Sequence, residues 1–308
     1  MRSPVNYYWG IIMTGKQYLG AVVISGASSG IGEASAIYLD KLGYQVFAGV
    51  RKDADGERLK RKTSGRLTPL LLDVMDEASI IAAANTVNGA LNNAGLAGLV
   101  NNAGIVVAGP LEFLPVVELR KQLEVNVIGQ IAVTQAFLPL LRKARGRVIN
   151  IGSDNGKISV PFLGPYCASK FALEALTDAL RMELQPWGIK VSIIEPGTVK
   201  TPIWNKSTAS ADDTWDKLPS QAHELYSVAV DATRKTANNL GETGFPAEMV
   251  AKTVARALSA KNPKIRYVVG LDAQIGIWLA KILPPSLLDK VITQYLGLPK
   301  NSINTPQV

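Results

Sequence analysis

The chain has one cysteine, Cys167, and one histidine, His223, in 308 residues. A lone cysteine excludes an intrachain disulfide and is compatible with a reducing, cytoplasmic setting. A lone histidine excludes a His-rich metal centre and leaves no His-based triad elsewhere, so no metal site is expected. Charge is sparse as well, at 19% of residues, and no run of like charges reaches five. The formal charge of +8 is therefore spread out, densest from Arg58 to Lys62 beside Arg51 and Lys52. Nucleic-acid binding needs a clustered basic patch with a reader motif, and neither is present, so the charge reads as a solvated basic surface. The apolar runs are too short to span a bilayer. Tyr7 to Met13 is apolar but lacks a following small-residue cleavage site, and residues 1–19 read as an extension before the main domain.

What is present is a large potential core, at 47% hydrophobic residues. From Gly20 to Gly270 strand and helix patterns alternate, which predicts a parallel sheet covered on both faces. The strand candidates are Ala21–Ser25, Gln45–Val50, Arg66–Leu72, Gly98–Asn101, Arg147–Ile151, Lys190–Glu195 and Arg266–Val269. Most are short and apolar on both faces, as buried parallel strands are. Helices are expected over Ile31–Leu42, Asp76–Ala90, Val116–Lys143, Tyr166–Trp187 and Ala247–Ala260. Residues 203–245 break the alternation and are too long for a simple connection, which suggests a lid with helix of its own. Residues 271–308 form a tail whose apolar spacing fits two amphipathic helices broken at Pro284–Pro285. The fold class expected is α/β: a Rossmann-like, doubly wound parallel sheet of about seven strands in one domain, residues 20–270, with a lid insertion and a helical tail.

The first strand runs into Ser25-Gly26-Ala27-Ser28-Ser29-Gly30-Ile31-Gly32, and a helix pattern starts at once. Small residues permit a tight turn, and a helix N-terminus offers free N–H groups and a positive dipole end to phosphates. A plain strand–helix turn is the competing reading. A dinucleotide site of this kind tests itself at the end of the second strand, where an acidic residue holds the adenosine ribose. Val50 stands there, followed by Arg51 and Lys52. An arginine pairs with a 2′-phosphate, so the sequence leans to NADP over NAD; a solvated loop cation is the alternative. Asp73, closing the third strand before Val74, suits either an adenine amino group or a helix cap.

Tyr166 and Lys170 are four apart in a helical pattern and so share one face. Ser153 follows the strand Arg147–Ile151, at the sheet edge where such folds bind ligands. A tyrosine–lysine pair alone is also what an ordinary helix surface shows. Several motifs together resemble the short-chain dehydrogenase/reductase superfamily, in that family's order: SGASSGIG at Ser25–Gly32, LDV at Leu72–Val74, NNAG at Asn101–Gly104, NVIG at Asn126–Gly129, Ser153, YCASK at Tyr166–Lys170 and PGTVKT at Pro196–Thr201. Among its branches the loose likeness is to retinol, hydroxysteroid and 3-hydroxybutyrate dehydrogenases. The chain departs by Ser25 where the family usually has Thr, by a second NNAG at Asn92–Gly95, and by the tail.

The resemblance implies a nicotinamide-dependent oxidoreductase moving hydride between an alcohol and a ketone. It implies that Tyr166 exchanges a proton with the substrate oxygen, that Ser153 orients that oxygen, and that Lys170 lowers the phenol pKa and holds the nicotinamide ribose. Asn126 would anchor a water relay; its alternative is a helix-packing amide. Ser25, Gly26, Ser28, Ser29, Gly30, Ile31 and Gly32 would hold the pyrophosphate. Asp73, Val74, Asn101, Ala103 and Gly104 would contact the cofactor, Asp73 at the adenine and Asn101 and Gly104 at the end of the fourth strand. Pro196 and Gly197 would contact the cofactor as well, and Thr201 and the backbone near Val199 would bind the carboxamide. Cys167 reads as a buried small residue, because no histidine is near in sequence to activate it.

The surplus of apolar residues in Val116–Lys143 suggests a second contact beyond the sheet, and the family uses this helix to dimerise, so a homodimer or homotetramer is expected. The lid and tail are apolar enough to enclose a lipophilic substrate such as a steroid or retinoid. A small hydroxy acid held by Lys200 and Lys206 is the alternative, and a cofactor-binding protein that has lost activity is another. Peripheral membrane contact through the tail could accompany any of them.

Overall fold

The computed structural model describes residues 18–92 and 94–298. The expected extension at 1–19 and the last residues of the tail lie almost wholly outside them.

The chain alternates β1 (Ala21–Ile24), α1 (Gly30–Leu42), β2 (Gln45–Val50), α2 (Asp53–Lys60), β3 (Leu67–Leu71), α3 (Glu77–Ala90), β4 (Gly98–Asn101), α4 (Val116–Leu123), α5 (Gly129–Ala144), β5 (Arg147–Ile151), α6 (Gly164–Glu183) and β6 (Lys190–Pro196). It continues through β7 (Val199–Lys200), α7 (Ile203–Trp215), α8 (Ser220–Thr243), β8 (Phe245–Pro246), α9 (Ala247–Ser259), β9 (Arg266–Val269), α10 (Leu271–Ile282) and α11 (Pro285–Tyr295). Seven strands form one sheet in the order β3-β2-β1-β4-β5-β6-β9. Every neighbouring pair is parallel, so all the carboxyl ends reach one edge. The strand order reverses between β1 and β4, and ligands bind at such a switch point.

The sheet is buried because its strands have no polar face. All of β1, Ala-Val-Val-Ile, is inaccessible to solvent. Each fully buried Val or Ile contributes about 1.5–3 kcal/mol relative to exposure. One face packs Ala36 and Leu39 of α1 with Val250 and Val254 of α9. The other packs Ile80 and Val87 of α3 with Val133 and Phe137 of α5.

Two elements differ from the sequence reading. Residues 116–144 are not one regular helix: five residues, Glu124–Ile128, form a π-helical turn between α4 and α5. The wider turn carries one extra residue, and Asn126 sits within it. α2 was not expected, although Asp53 and Asp55 in its first turn and Arg58 and Lys60 in its last complement the helix dipole. Residues 203–243 are almost entirely helical, as α7 and α8. The tail is two helices, with Pro285 opening the second.

Candidate active site

β1 delivers the glycine turn to the sheet's carboxyl edge. Gly26 and Gly30 adopt φ of 65° and 60°, a region costly for other residues. A Cβ on Gly32 would strike the Gly26 carbonyl oxygen, so the helix can approach the turn only with glycine there. Ser29 precedes α1 without capping it through its side chain, which leaves first-turn N–H groups for a ligand. The turn is braced from β4. The backbone N–H groups of Asn102 and Ala103 donate to Ser25 Oγ at 3.0 and 3.1 Å. Asn102 Nδ2 donates to the carbonyls of Ser25 and Gly26, both at 3.0 Å.

Asn102 was not among the expected contacts, and Asn101 was. The Asn101 side chain is turned into the interior, where Nδ2 donates to Thr134 Oγ1 at 2.8 Å and Asn150 Oδ1 at 2.9 Å. Its side chain therefore does not face the ligand edge. Asn92 lies in the loop after α3, before β4 begins, with φ 46°; Asn93 lies outside the described residues.

At the adenosine end, Arg51 and Lys52 are exposed between β2 and α2. Arg58 of α2 reaches back to the Ser28 carbonyl and pairs with Glu33 at 3.0 Å. Asp73 does not cap α3; Asp76 does, accepting from Ala78 N. Asp73 Oδ1 instead accepts from Met75 N at 3.1 Å. The Val74 carbonyl packs where a Cβ on Gly129 would stand.

Ser153, Tyr166 and Lys170 come together beyond β5. Lys170 is buried, and Nζ donates to the Ile151 carbonyl at 2.8 Å and stands 5.6 Å from the Tyr166 ring centre. Burial lowers the Lys170 pKa to about 8, against the pull of Glu174, which raises it. Burial pushes the Tyr166 phenol above its ordinary value; the Ser153 hydroxyl lowers it and Asp154 raises it. The sequence reading expected a lowered phenol. Burial thus works against the lowering that Lys170 and a positively charged nicotinamide would supply. Burial also raises the Cys167 thiol.

Asn126 is fully buried and ties three segments together. Oδ1 accepts from Ile105 N at 2.9 Å, and Nδ2 donates to Ile105 O at 3.0 Å and Ser169 Oγ at 3.1 Å. Ser169 in turn donates to the Tyr166 carbonyl at 2.7 Å. Gln122 and Gln130 fasten the same loop, through Val107 N, Ile105 O and Ala103 O. The recurrence of Gln122, Asn126 and Gln130 at a spacing of four within a largely apolar stretch was the available sequence signal.

Two acids join the site unannounced. Asp154 Oδ1 accepts from Ser153 Oγ and from Asn155 N, both at 2.9 Å. Burial raises Asp154 to about 6, with nearby Asp272 adding to the rise and the Ser153 bond opposing it. Asp272, in the first turn of α10, accepts from Thr198 N at 2.6 Å and fills the space where a Cβ on Gly197 would sit. The tail thus fixes the Pro196–Thr201 loop. That loop also meets the glycine turn, since a Cβ on Gly30 would lie 3.1 Å from Thr201.

A tight glycine turn, helix N–H groups without a side-chain cap, and a serine, tyrosine and lysine gathered beyond β5 on the same carboxyl edge of the sheet fit a nicotinamide dinucleotide. Fold and site together define an oxidoreductase that transfers hydride between this cofactor and an alcohol or ketone. The chain belongs to the short-chain dehydrogenase family, which it matches over residues 20–212. It is 38% identical to mouse (Mus musculus) retinol dehydrogenase 5 over 92% of this chain and 91% of that protein. It is 40% identical to rat (Rattus norvegicus) retinol dehydrogenase 7 over 88% and 87%. A short-chain dehydrogenase structure from Streptomyces avermitilis superposes with a TM-score of 0.71 at 26% identity, covering 92% of this chain and 96% of that one.

Proposed function

We propose that the enzyme interconverts a lipophilic alcohol and its carbonyl compound, of retinoid or steroid type, with NADP(H) as cofactor. The observation that supports the substrate reading is an aromatic cluster built partly from the segment that leads into the Tyr166 helix. Phe162, from the segment between Ser153 and Tyr166, meets Tyr226 of α8 edge-on at 6.1 Å, and Phe113 meets the same ring at 5.9 Å. Three separate segments converge on one aromatic cluster, half-buried and apolar except where the Tyr226 hydroxyl donates to Glu112 at 2.7 Å. The similarity to retinol dehydrogenases supports the same class. A small hydroxy acid is disfavoured: Asp154, which accepts from Ser153 Oγ and has Asp272 near it, would repel its carboxylate, while Lys200 and Lys206 are exposed.

In this reading the glycine turn, the first turn of α1, Asp73 and the Pro196–Thr201 loop hold the cofactor, with Lys170 on its nicotinamide ribose. When bound, the nicotinamide supplies the hydride donor or acceptor and, oxidised, a positive charge. Ser153 orients the substrate oxygen, and Tyr166 gives or takes its proton. Lys170 as ammonium favours the phenolate and opposes the effect of burial. Asn126 holds the loop beyond β4 and the Tyr166 helix in register. Arg51, exposed at the end of β2, supports selection of the 2′-phosphate.

α10 turns Leu271, Ile275, Trp278 and Ile282 outward, with Lys281 beside them, which supports peripheral contact with an anionic lipid surface. Exposed Val116, Val117 and Phe171 on α4 and α6 support self-association. The substrate reading is tested by kcat/KM for all-trans-retinol, a hydroxysteroid and 3-hydroxybutyrate, each with NADP and NAD. A preference for the lipophilic alcohols supports it, and a preference for the hydroxy acid overturns it.

A further inference from the structure

Behind the catalytic lysine lies a pair of buried carboxyl groups that the reaction as described does not use. Glu174 is one turn beyond Lys170 on α6, and Glu195 is on β6 just before the Pro196–Thr201 loop; their side chains are 6% and 2% exposed. Lys157, three residues beyond Asp154, donates to Glu174 Oε2 at 2.7 Å and stands 3.7 Å from Glu195 Oε1. Arg266 of β9 donates through Nε to the same Glu174 oxygen at 3.0 Å and through Nη2 to Asp178 at 2.6 Å, and lies 3.5 Å from Glu195 Oε1. The cations thus converge on one oxygen of Glu174. Glu174 Oε1 and Glu195 Oε1 are buried and have no hydrogen-bond partner among the described residues. Glu195 Oε1 meets the two cations only at ion-pair distance, and two buried carboxyl groups in one cluster, each with an oxygen lacking a hydrogen bond, favour holding one proton between them.

We propose that Glu174 and Glu195 share one proton and act as a positioning pair, with Glu195 carrying the proton and Glu174 the negative charge that keeps Lys170 an ammonium. Burial and Glu174 both raise the Glu195 pKa, to about 8, against Lys157 and Arg266. Burial alone would drive Lys170 towards neutrality, and Glu174 is the group that opposes it. The groups facing the pair are Lys157, Arg266, Asp178 and Lys170; Arg181 lies on the far side of Asp178 at 3.5 Å. The dependence on Lys170 rests on the catalytic reading above, whereas the shared proton does not.

The sign of each effect is fixed. A carboxyl whose pKa is raised on folding stabilises the fold at low pH, and that stabilisation is lost as pH rises through the folded value. Glu195 therefore makes wild-type stability fall towards about pH 8. Glu195→Gln keeps a neutral donor to Glu174 and removes that titration. Glu174→Gln removes the negative charge near Lys170, so the ammonium is lost at lower pH.

The test is a set of three measurements on the full chain. Infrared difference spectra near neutral pH should show a protonated-carboxyl band in wild type that disappears in Glu195→Gln. The melting temperature of wild type should fall between about pH 5 and 8 more steeply than that of Glu195→Gln. The alkaline limb of the kcat/KM profile should move down by roughly one pH unit in Glu174→Gln. A merely structural pair would lower stability and leave that limb in place. Absence of the carboxyl band in folded wild type overturns the shared proton, whatever the substrate proves to be. An unmoved alkaline limb in a folded Glu174→Gln enzyme overturns the link to Lys170.

Discussion

Asn102 Nδ2 donates to the Ser25 carbonyl at 3.0 Å, which joins the carboxyl end of β4 to that of β1 across the point where the strand order reverses. The same amide also holds the Gly26 carbonyl. The glycine turn is thus held open by a neighbouring strand, and its shape does not rest on its own residues alone.

The three asparagines should separate cleanly. Asn102→Ala removes two hydrogen bonds from the turn and should weaken NADP binding by roughly tenfold, at about 0.5–1.5 kcal/mol per bond. Asn101→Ala should chiefly cost stability, about 1–3 kcal/mol, because Thr134 and Asn150 lose a buried partner. Asn92→Ala should leave cofactor affinity unchanged. Fluorescence titration with NADPH and urea unfolding read the two effects separately; strong loss of NADPH affinity in Asn92→Ala would contradict the placement.

Arg51→Ala should weaken NADP binding more than NAD binding, roughly tenfold against less than twofold, as loss of a charge-assisted contact to a phosphate does. Kd values for both cofactors on one variant decide it. Equal losses would show that Arg51 does not read the 2′-phosphate.

Asp154 gives the site a pH dependence of its own. Its carboxyl, raised to about 6, binds a proton more tightly in the folded than in the unfolded chain. Its contribution to stability is full below the ordinary carboxylate value and is lost as pH rises through about 6. The shift corresponds to about 3 kcal/mol as an order of magnitude. Asp154→Asn should flatten the fall in melting temperature across about pH 4–7. It should also change the acid limb of kcat/KM, because Ser153 donates its hydroxyl to this carboxylate. Melting curves of variant and wild type with the same slope would count against a raised Asp154.

The tail should matter to the cofactor. Asp272→Ala removes the carboxylate that accepts from Thr198 N, and the Pro196–Thr201 loop loses its fixed position. The KM for NADP should rise by roughly five- to tenfold, the scale of one charge-assisted hydrogen bond. An unchanged KM in a normally folded variant would show that the loop holds itself.

The sheet was legible because a buried parallel strand has no polar face: runs such as Ala21–Ile24 and Val148–Ile151 stand out between turns whatever their neighbours are. That Ser153, Tyr166 and Lys170 lie together was legible because Tyr166 and Lys170 fall one helical turn apart and Ser153 follows the end of a strand. What failed depended on a single residue of register or on contacts distant in sequence. Asn101 and Asn102 are adjacent, and one step along extended backbone turns a side chain to the opposite side, so the motif could not say which amide faces the turn. The π-helical turn around Asn126 adds one residue to a helix whose apolar spacing is otherwise ordinary. Asp272 meets Thr198 across 74 residues, and Arg266 meets Glu174 across 92; neither pairing leaves a local pattern.

The central claim is that Tyr166 moves the proton while the surrounding chain holds the cofactor. Tyr166→Phe deletes one hydroxyl and keeps the ring packed beneath Lys170, so the measurement is turnover of all-trans-retinol with NADP alongside NADPH affinity in the same preparation. The account predicts a loss of kcat of at least roughly a thousandfold, within the range general acid–base catalysis supplies, with NADPH affinity unchanged within about twofold. Turnover near the wild-type rate in that variant would contradict it.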